Sequence, residues 1–546
     1  MVFLIYNIIV LFVLFPFVIF TKEISPKKDN FKKKTMELQI KEELNKNIEA
    51  QQNLKKTIKN NKKKITTDPL PVKQYKSLTE LIIDIFSNID FKDSKVSFSL
   101  LDPNSNLIAS INKDLNLNQA SVSKLIVSLA AIKYLGLNYR FKTNFYADAE
   151  IDNNGVLDGN LIVKGFGDPN LLSQDIYKII NFLKMIGLKE IKGNIIIDLS
   201  FFDRQYSIYN LKEEDDSRSY AAFNNALPLN YNSFKFTVKP YIDEENEENN
   251  KVNINISYPA SLIIKLKNKL TLSDRYSRIK AETSKAKYYH NTKLELKGRV
   301  NKKINLLFFY RKIHNPDYYF AKIFFKMLKY SKIKIKGRLK IKYTDQIKNK
   351  RTVSLLYSYQ TRYLLDTLIV MNRYSNNFIA EQLLKIVGAE YSKTKEKEGI
   401  ASWEDGINAV KEMLKNDIKI DPANYKYSNA SGLNDANFFS SYQIAKILYY
   451  VKNNFNYKWY LLSTLPKIGV SGTLRRYCMT EDCKGAVIAK TGSLRTTVAL
   501  AGFINVKNKL YTFSLAINFN SSKKKFRKIL KKAKELISNL TSLENL

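Results

Sequence analysis

The chain has only two histidines, His290 and His314, and two cysteines, Cys478 and Cys483, in 546 residues. Counts this low exclude a multi-histidine metal site and a four-cysteine zinc site. A Ser-His-Asp triad would have to use one of two histidines set among Tyr and Lys. Five positions apart, the cysteines could close a small loop in an oxidising compartment, and nothing around them suggests catalysis. Acidic residues are also scarce: 51 Asp and Glu stand against 90 Lys and Arg, a formal net charge of +39. Such a field would hold nucleic acid, anionic lipid or anionic wall polymer. The excess is spread along the chain with much Asn, Ile and Tyr, which equally fits a general drift of residue usage toward Lys.

What is present is enough apolar material for a real core, 45% of residues, in a chain long enough for two or three domains. Residues 2–20, VFLIYNIIVLFVLFPFVIF, form a nearly continuous apolar run without charge. The run is long enough for a signal peptide and marginal for a membrane span, so the chain is expected to be extracytoplasmic, in the periplasm or cell envelope. No small-residue cleavage site is visible, and residues 1–21 read as either a signal peptide or a membrane anchor. Lys22, Lys27 and Lys28 follow the run. The positive-inside rule alone would keep that side in the cytoplasm, whereas the chemistry argued below requires export. Residues 22–72, rich in Lys, Asn, Glu and Gln, read as a flexible tether. Within it Met36, Ile40, Leu44 and Ile48 stand at four-residue spacing and allow a short amphipathic helix.

Patterned sequence begins at Leu81, where LIIDIF predicts a helix, followed by strands KVSFSLLD and LIASIN around the turn Asp102-Pro103-Asn104-Ser105-Asn106. Next comes Ser121-Val122-Ser123-Lys124, opening LIVSLAAIKYLG, apolar on most faces and ended by Gly136. This predicts a buried helix with a Ser at its amino end. From about Tyr139 to Lys350, alternating strands and Gly-bounded turns predict a largely β insert. Helical pattern returns in LLDTLIVMNRYSNNFIAEQLLKIVG, strands in VIAKTGSL, VALAGFINV and YTFSLAINF, and a last helix is predicted over Phe526–Leu540. The two ends would have to close one domain around the insert.

A nucleophilic Ser needs a proton acceptor, and a Lys three residues on along a helix lies on the same face, with Cβ atoms about 5–6 Å apart. Ser121 and Lys124 meet this spacing. A Lys can act as base when desolvation and neighbouring positive charge keep it neutral. Eight other serines have Lys at the same spacing, but they lie in solvated Lys clusters, on the hairpin or in polar stretches of the insert. Two further pieces lie downstream. Lys490-Thr491-Gly492 occurs once, on a predicted strand, where Gly permits close approach and Lys and Thr can grip a carboxylate. Ser375-Asn376-Asn377 sits between helical segments, where a short loop could project a hydroxyl and a carboxamide.

This ordered set of three is the one found in serine β-lactamases and penicillin-binding proteins. From about Thr79 to Asn518 the chain resembles the D-alanyl-D-alanine carboxypeptidase/endopeptidases of the DacB type, the class C low-molecular-mass penicillin-binding proteins. NQASVSKLIVSLAAIKYLG resembles their active-site helix and GVLDGNLIVKGFGDPNL (Gly155 to Leu171) their insert signature. ALPLNYNSFKFTVKP, MNRYSNNFIAEQLL, NASGLN and LPKIGVSGTLRRY are similar to further blocks. Asn376 departs from the usual Asp, and Asn429 and Asn434 stand where Asp and Ser are common.

The resemblance implies an α+β, multi-domain fold. A penicillin-binding transpeptidase-like domain, residues 73–140 and 355–546, would be an antiparallel sheet covered by helices, with residues 141–354 inserted as mainly β domains. It implies a serine-type D-Ala-D-Ala carboxypeptidase or endopeptidase that acts on peptidoglycan stem peptides and crosslinks through an acyl-serine. β-Lactams would inhibit it, it would bind no nucleic acid, and it would need neither metal nor organic cofactor. Ser121 would attack with Lys124 as base, Ser375 would relay a proton and Asn377 would orient substrate or Lys124. Lys490, Thr491, Gly492 and Ser493 would bind substrate, with the N–H groups of Ser121 and Ser493 as oxyanion hole. A serine β-lactamase, which would lack an insert of this size, and a non-catalytic wall-polymer binder are the alternatives. Oligomeric state and the choice between trimming stems and cutting crosslinks stay open.

Overall fold

The computed structural model describes residues 78–87, 94–208, 217–243, 245–286, 290–347, 353–396, 399–435, 437–479, 483–520 and 523–541. The expected signal peptide or anchor (1–21) and tether (22–72) lie outside the described residues. Among the described residues no helix is long and apolar enough to cross a membrane.

Five antiparallel strands form a central sheet in the order Val487–Leu494, Thr497–Val506, Lys509–Phe519, Ser94–Leu101, Leu107–Ile111. The amino-terminal hairpin joins the carboxy-terminal meander through Ser94–Leu101, which runs antiparallel to Lys509–Phe519 from Ser94↔Phe519 to Leu101↔Thr512. The two ends of the chain therefore close one sheet. Strand alternation sorts its side chains onto two covered faces. On one face Val96, Phe98, Leu100, Val498, Leu500, Phe513 and Leu515 pack with Leu81 and Ile85 of the first helix and with Ile529, Ala533, Leu536 and Ile537 of the last. Burying each of the Val, Leu, Ile and Phe side chains among these contributes about 1.5–3 kcal/mol. The last helix runs Lys523–Leu540, beginning one turn before the expected Phe526.

On the other face small residues, Ala499, Ala501 and Ala516, join a second core with the helix Lys124–Leu135. That helix is apolar all round and buried from Lys124 to Ile132, as its sequence predicts for a helix inside a core. Ser97 and Ser99 also point to this face, where their hydroxyls both meet Ser441 Oγ at 2.8 Å.

The chain leaves this region along Arg140–Ala147 and returns along Ser354–Tyr363, and the two strands pair. They edge a second, mixed five-stranded sheet that continues through Leu161–Gly165, Ile195–Asp198 and Leu339–Lys342. Three small three-stranded sheets complete the insert. Among the described residues it also holds the helices Ser173–Met185 and Pro316–Tyr330, which the strand reading passed over. Ile176, Ile179, Ile180 and Leu183 carry the helical spacing and are all buried.

Candidate active site

Ser121 does not open the buried helix. It lies in a single 3-10 turn, Ala120–Ser123, immediately before the helix begins at Lys124. A 3-10 turn has three residues per turn, so residues three apart eclipse. Lys124 Nζ accordingly sits 2.9 Å from Ser121 Oγ. The turn is held in an unusual backbone conformation, with Ala120 at φ +44°. Asn118 Oδ1 accepts the Ala120 N–H at 2.8 Å, and two glycines press on the same segment. A Cβ on Gly432 would fall 1.7 Å from Ala120 O, and one on Gly492 would fall 2.6 Å from Gln119 O. Left-handed backbone at a non-glycine residue costs about 1–3 kcal/mol and persists where surrounding contacts over-determine it.

Lys124 is fully buried and has three neighbours in hydrogen-bond range: Ser121 Oγ, Asn377 Oδ1 at 2.8 Å and Ser431 O at 2.8 Å. The last two can only accept. A neutral amine has two N–H donors and one lone pair, so with both donors engaged its lone pair is left for the Ser121 hydroxyl to donate to. Burial, and next the neighbouring Lys490 charge, push Lys124 well below the usual lysine range, while Glu381 opposes them. The three contacts are compatible with a neutral amine beside a serine hydroxyl, and burial together with the Lys490 charge favours that form.

The Ser375-Asn376-Asn377 segment is a break between the helices Leu364–Tyr374 and Asn377–Lys393. Ser375 ends the first in left-handed conformation (φ +57°), and Asn376 caps the second, its Oδ1 accepting the Ile379 N–H at 3.0 Å. An amide oxygen makes this bond as well as a carboxylate would, so the departure from Asp leaves the break intact. Asn377 then starts the second helix with its carboxamide on Lys124, and its Nδ2 donates to Tyr220 O at 3.4 Å.

Lys490 and Thr491 lie buried on the edge strand of the central sheet. The segment Pro466–Ile468 covers that edge as far as Ala489, through Ile468 N–H to Val487 O and Ala489 N–H to Pro466 O. Lys490 donates to Ser375 Oγ at 3.0 Å and Thr491 O at 2.7 Å, and Thr491 shares a 2.8 Å hydroxyl contact with Thr473. Ser493 is exposed near the end of this strand, opposite Val498. The structure thus gathers Ser121, Lys124 and Asn377 into one contact set and joins Ser375 to Lys490. Gly492 lies against the Gln119–Ala120 backbone.

Three contributors were not singled out from sequence. The Ser431 carbonyl belongs to the loop NASGLN, where Asn429 Oδ1 accepts the Gly432 N–H at 2.8 Å. Glu381, buried, accepts from Trp403 Nε1 at 3.0 Å, Ala430 N–H at 3.3 Å and Ser431 N–H at 2.9 Å, which fixes the carbonyl that Lys124 uses. Thr473 follows Ser471-Gly472 on a tight turn whose only sequence signal was its place in a recognised block. Among the described residues no three His, Cys, Asp or Glu side chains gather as a metal site. Cys478 and Cys483 form a disulfide.

Burial holds Lys490 down to about 7. Its charge is therefore present below neutrality and lost as pH rises through that value. If Lys490 grips a terminal carboxylate, KM for a peptide ending in a free carboxylate rises above pH 7, while KM for the same peptide amidated stays flat. Parallel profiles for the two peptides would contradict this.

A family model described as the D-Ala-D-Ala carboxypeptidase 3 (S13) family matches residues 99–540. The D-alanyl-D-alanine carboxypeptidase DacB of Haemophilus influenzae is 28% identical over 449 residues, covering 79% of this chain and 89% of the relative. The crystal structure of penicillin binding protein 4 (dacB) from the same organism superposes with a TM-score of 0.72 at 26% identity, covering 84% of this chain and 99% of that one. Its complex with a β-lactam superposes at 0.66 and 24% identity, covering 84% and 98%.

Proposed function

Because the chain belongs to the D-Ala-D-Ala carboxypeptidase 3 (S13) family, matched over most of its length, we propose that its peptidase chemistry runs through Ser121. The enzyme is a serine-type D-Ala-D-Ala carboxypeptidase/endopeptidase of peptidoglycan peptides, acylated by penicillins. Lys124 Nζ takes the Ser121 proton as Oγ attacks the carbonyl carbon of the penultimate D-Ala. The negative charge that forms on the carbonyl oxygen is met by the backbone N–H groups of Ser121 and Ser493. As the intermediate collapses, Ser375, bonded to Lys490, hands its proton to the departing amine and takes up in its place the proton that Lys124 removed from Ser121, which leaves Lys124 neutral again. Water then attacks the acyl-serine, with Lys124 again as base, and frees Ser121.

Lys490 and Thr491 hold the terminal carboxylate, and the edge strand from Lys490 onward offers its open side to the substrate backbone. Asn377 holds Lys124 in line. Residues near 73–140 and 355–546 carry this chemistry, and residues 141–354 form an insert that shapes the approach to it. The observation that carries the reading is Lys124, buried, with two obligate acceptors and one serine hydroxyl around it. The β-lactam acyl-enzyme persists because the ring-opened drug keeps its leaving group attached.

Export follows from the same chemistry, since peptidoglycan lies outside the cytoplasm. The Cys478–Cys483 disulfide supports it, because such bonds persist in oxidising compartments. Residues 2–20 are the segment that directs it.

The direct test is release of D-Ala from a stem pentapeptide, with a crosslinked peptide dimer assayed beside it. D-Ala release or dimer cleavage by the parent, absent in Ser121→Ala, is expected. Equal rates in parent and variant would remove Ser121 from the mechanism.

A further inference from the structure

Beside Ser375, Asn376 and Asn377 opens a cavity of about 580 Å³ whose far wall is built by the insert. That volume is within the roughly 300–1,000 Å³ that encloses a drug-sized ligand, and a terminal D-Ala-D-Ala would fill only a fraction of it. Five tyrosines line it: Tyr220, Tyr231, Tyr258, Tyr310 and Tyr374. Tyr258, Tyr310 and Tyr374 are 52%, 53% and 73% exposed, so their rings are presented rather than packed away. The polar groups between them are neutral, Ser173, Ser233 and Asn230 among them, and of the described lining residues Lys235 alone is charged.

In a chain with 90 Lys and Arg, a wall with one cation and no carboxylate selects for a largely neutral ligand. The several carboxylates of a stem peptide would find only Lys235 to pair with there. N-acetylated sugars fit it well: their C–H faces stack on aromatic rings, and their hydroxyl and acetamido groups bond to Ser and Asn. The aromatic surface also extends away from the catalytic end, because Tyr258 bonds to Tyr177 and neighbours Tyr330, both exposed.

Resting on the peptidase reading above, we propose that this cavity is a subsite for the N-acetylated sugar end of the substrate. The enzyme therefore discriminates glycan-attached stems from free peptides. The test compares kcat/KM of the full chain on an N-acetylmuramyl pentapeptide and on the same pentapeptide without sugar.

The parent is expected to favour the sugar-bearing substrate by about tenfold, through KM, as two stacked rings allow. Combined Tyr258→Ala and Tyr310→Ala brings that ratio near one and leaves penicillin acylation and the sugar-free kinetics unchanged. Combined Tyr→Phe changes at the two positions keep the preference. A ratio near one in the parent, or a double variant that slows both substrates equally, would overturn the proposal, as would a preference for sugar-free crosslinked dimers. Penicillin acylation reports on the catalytic centre alone. A folded parent that neither cleaves peptide nor takes penicillin would instead sink the peptidase reading, and this proposal with it.

Discussion

Lys124→Met slows penicillin acylation and D-Ala release by about 10³-fold, the middle of the range for removing a positioned base. In free energy that is about 4 kcal/mol of lost transition-state stabilisation. Methionine has nearly the same reach and carries no charge, so it fills the buried space while leaving the Ser121 proton without an acceptor. Asn377 Oδ1 and Ser431 O each lose a donor, at about 1–3 kcal/mol apiece, and removal of a buried amine offsets part of this. The variant therefore folds, and circular dichroism and melting temperature taken with the kinetics establish that. Lys124→Arg separates base from hydrogen-bond donor. A guanidinium stays protonated, so it can still donate to Asn377 Oδ1 and Ser431 O but has no lone pair for the Ser121 proton, and the reaction is not restored. Normal acylation in either folded variant would contradict a base role for Lys124.

Glu381→Ala acts on stability. The carboxylate is buried and accepts from the Trp403 indole and from two successive backbone N–H groups, Ala430 and Ser431. Truncation leaves three buried donors without their acceptor, and the expected loss is about 3–5 kcal/mol, read as a lower denaturant midpoint. Glu381→Gln keeps the shape and removes the charge, which tests a second consequence. Glu381 raises the Lys124 pKa, so removing its charge lowers that pKa further. Because Lys124 works in its neutral form, the acid limb of the acylation profile moves to lower pH. An unmoved limb, with the protein folded, would mean that Glu381 supports the loop and has no electrostatic hold on Lys124.

The central sheet was legible because its strands alternate cleanly, with Val498 and Leu500 on one face and Ala499 and Ala501 on the other. The helix Lys124–Leu135 was legible because it is apolar all round. The Ser121 turn was not. Its first residue, Ala120, stands at positive φ, and what packs against this segment is Gly432 and Gly492, more than 300 residues away along the chain. Local propensity carries no trace of such a contact. Glu381 was hidden for a related reason: on a helix rich in apolar residues a single Glu reads as a solvated position, and only the fold brings the backbone of 430–431 onto it. Thr473 was hidden because a hydroxyl beside Gly is common in any turn. Ser375 and Lys490 were legible as motif members, and the 3.0 Å bond between them is a product of tertiary structure.

The proposed catalysis runs through a covalent bond to one oxygen atom, Ser121 Oγ. Intact mass of the folded protein after incubation with a penicillin, followed by peptide mapping, tests it most directly. A single adduct of one drug molecule on Ser121, absent in Ser121→Ala, is the predicted result. An adduct that persists in Ser121→Ala, or none in a folded parent beside intact drug, would contradict it.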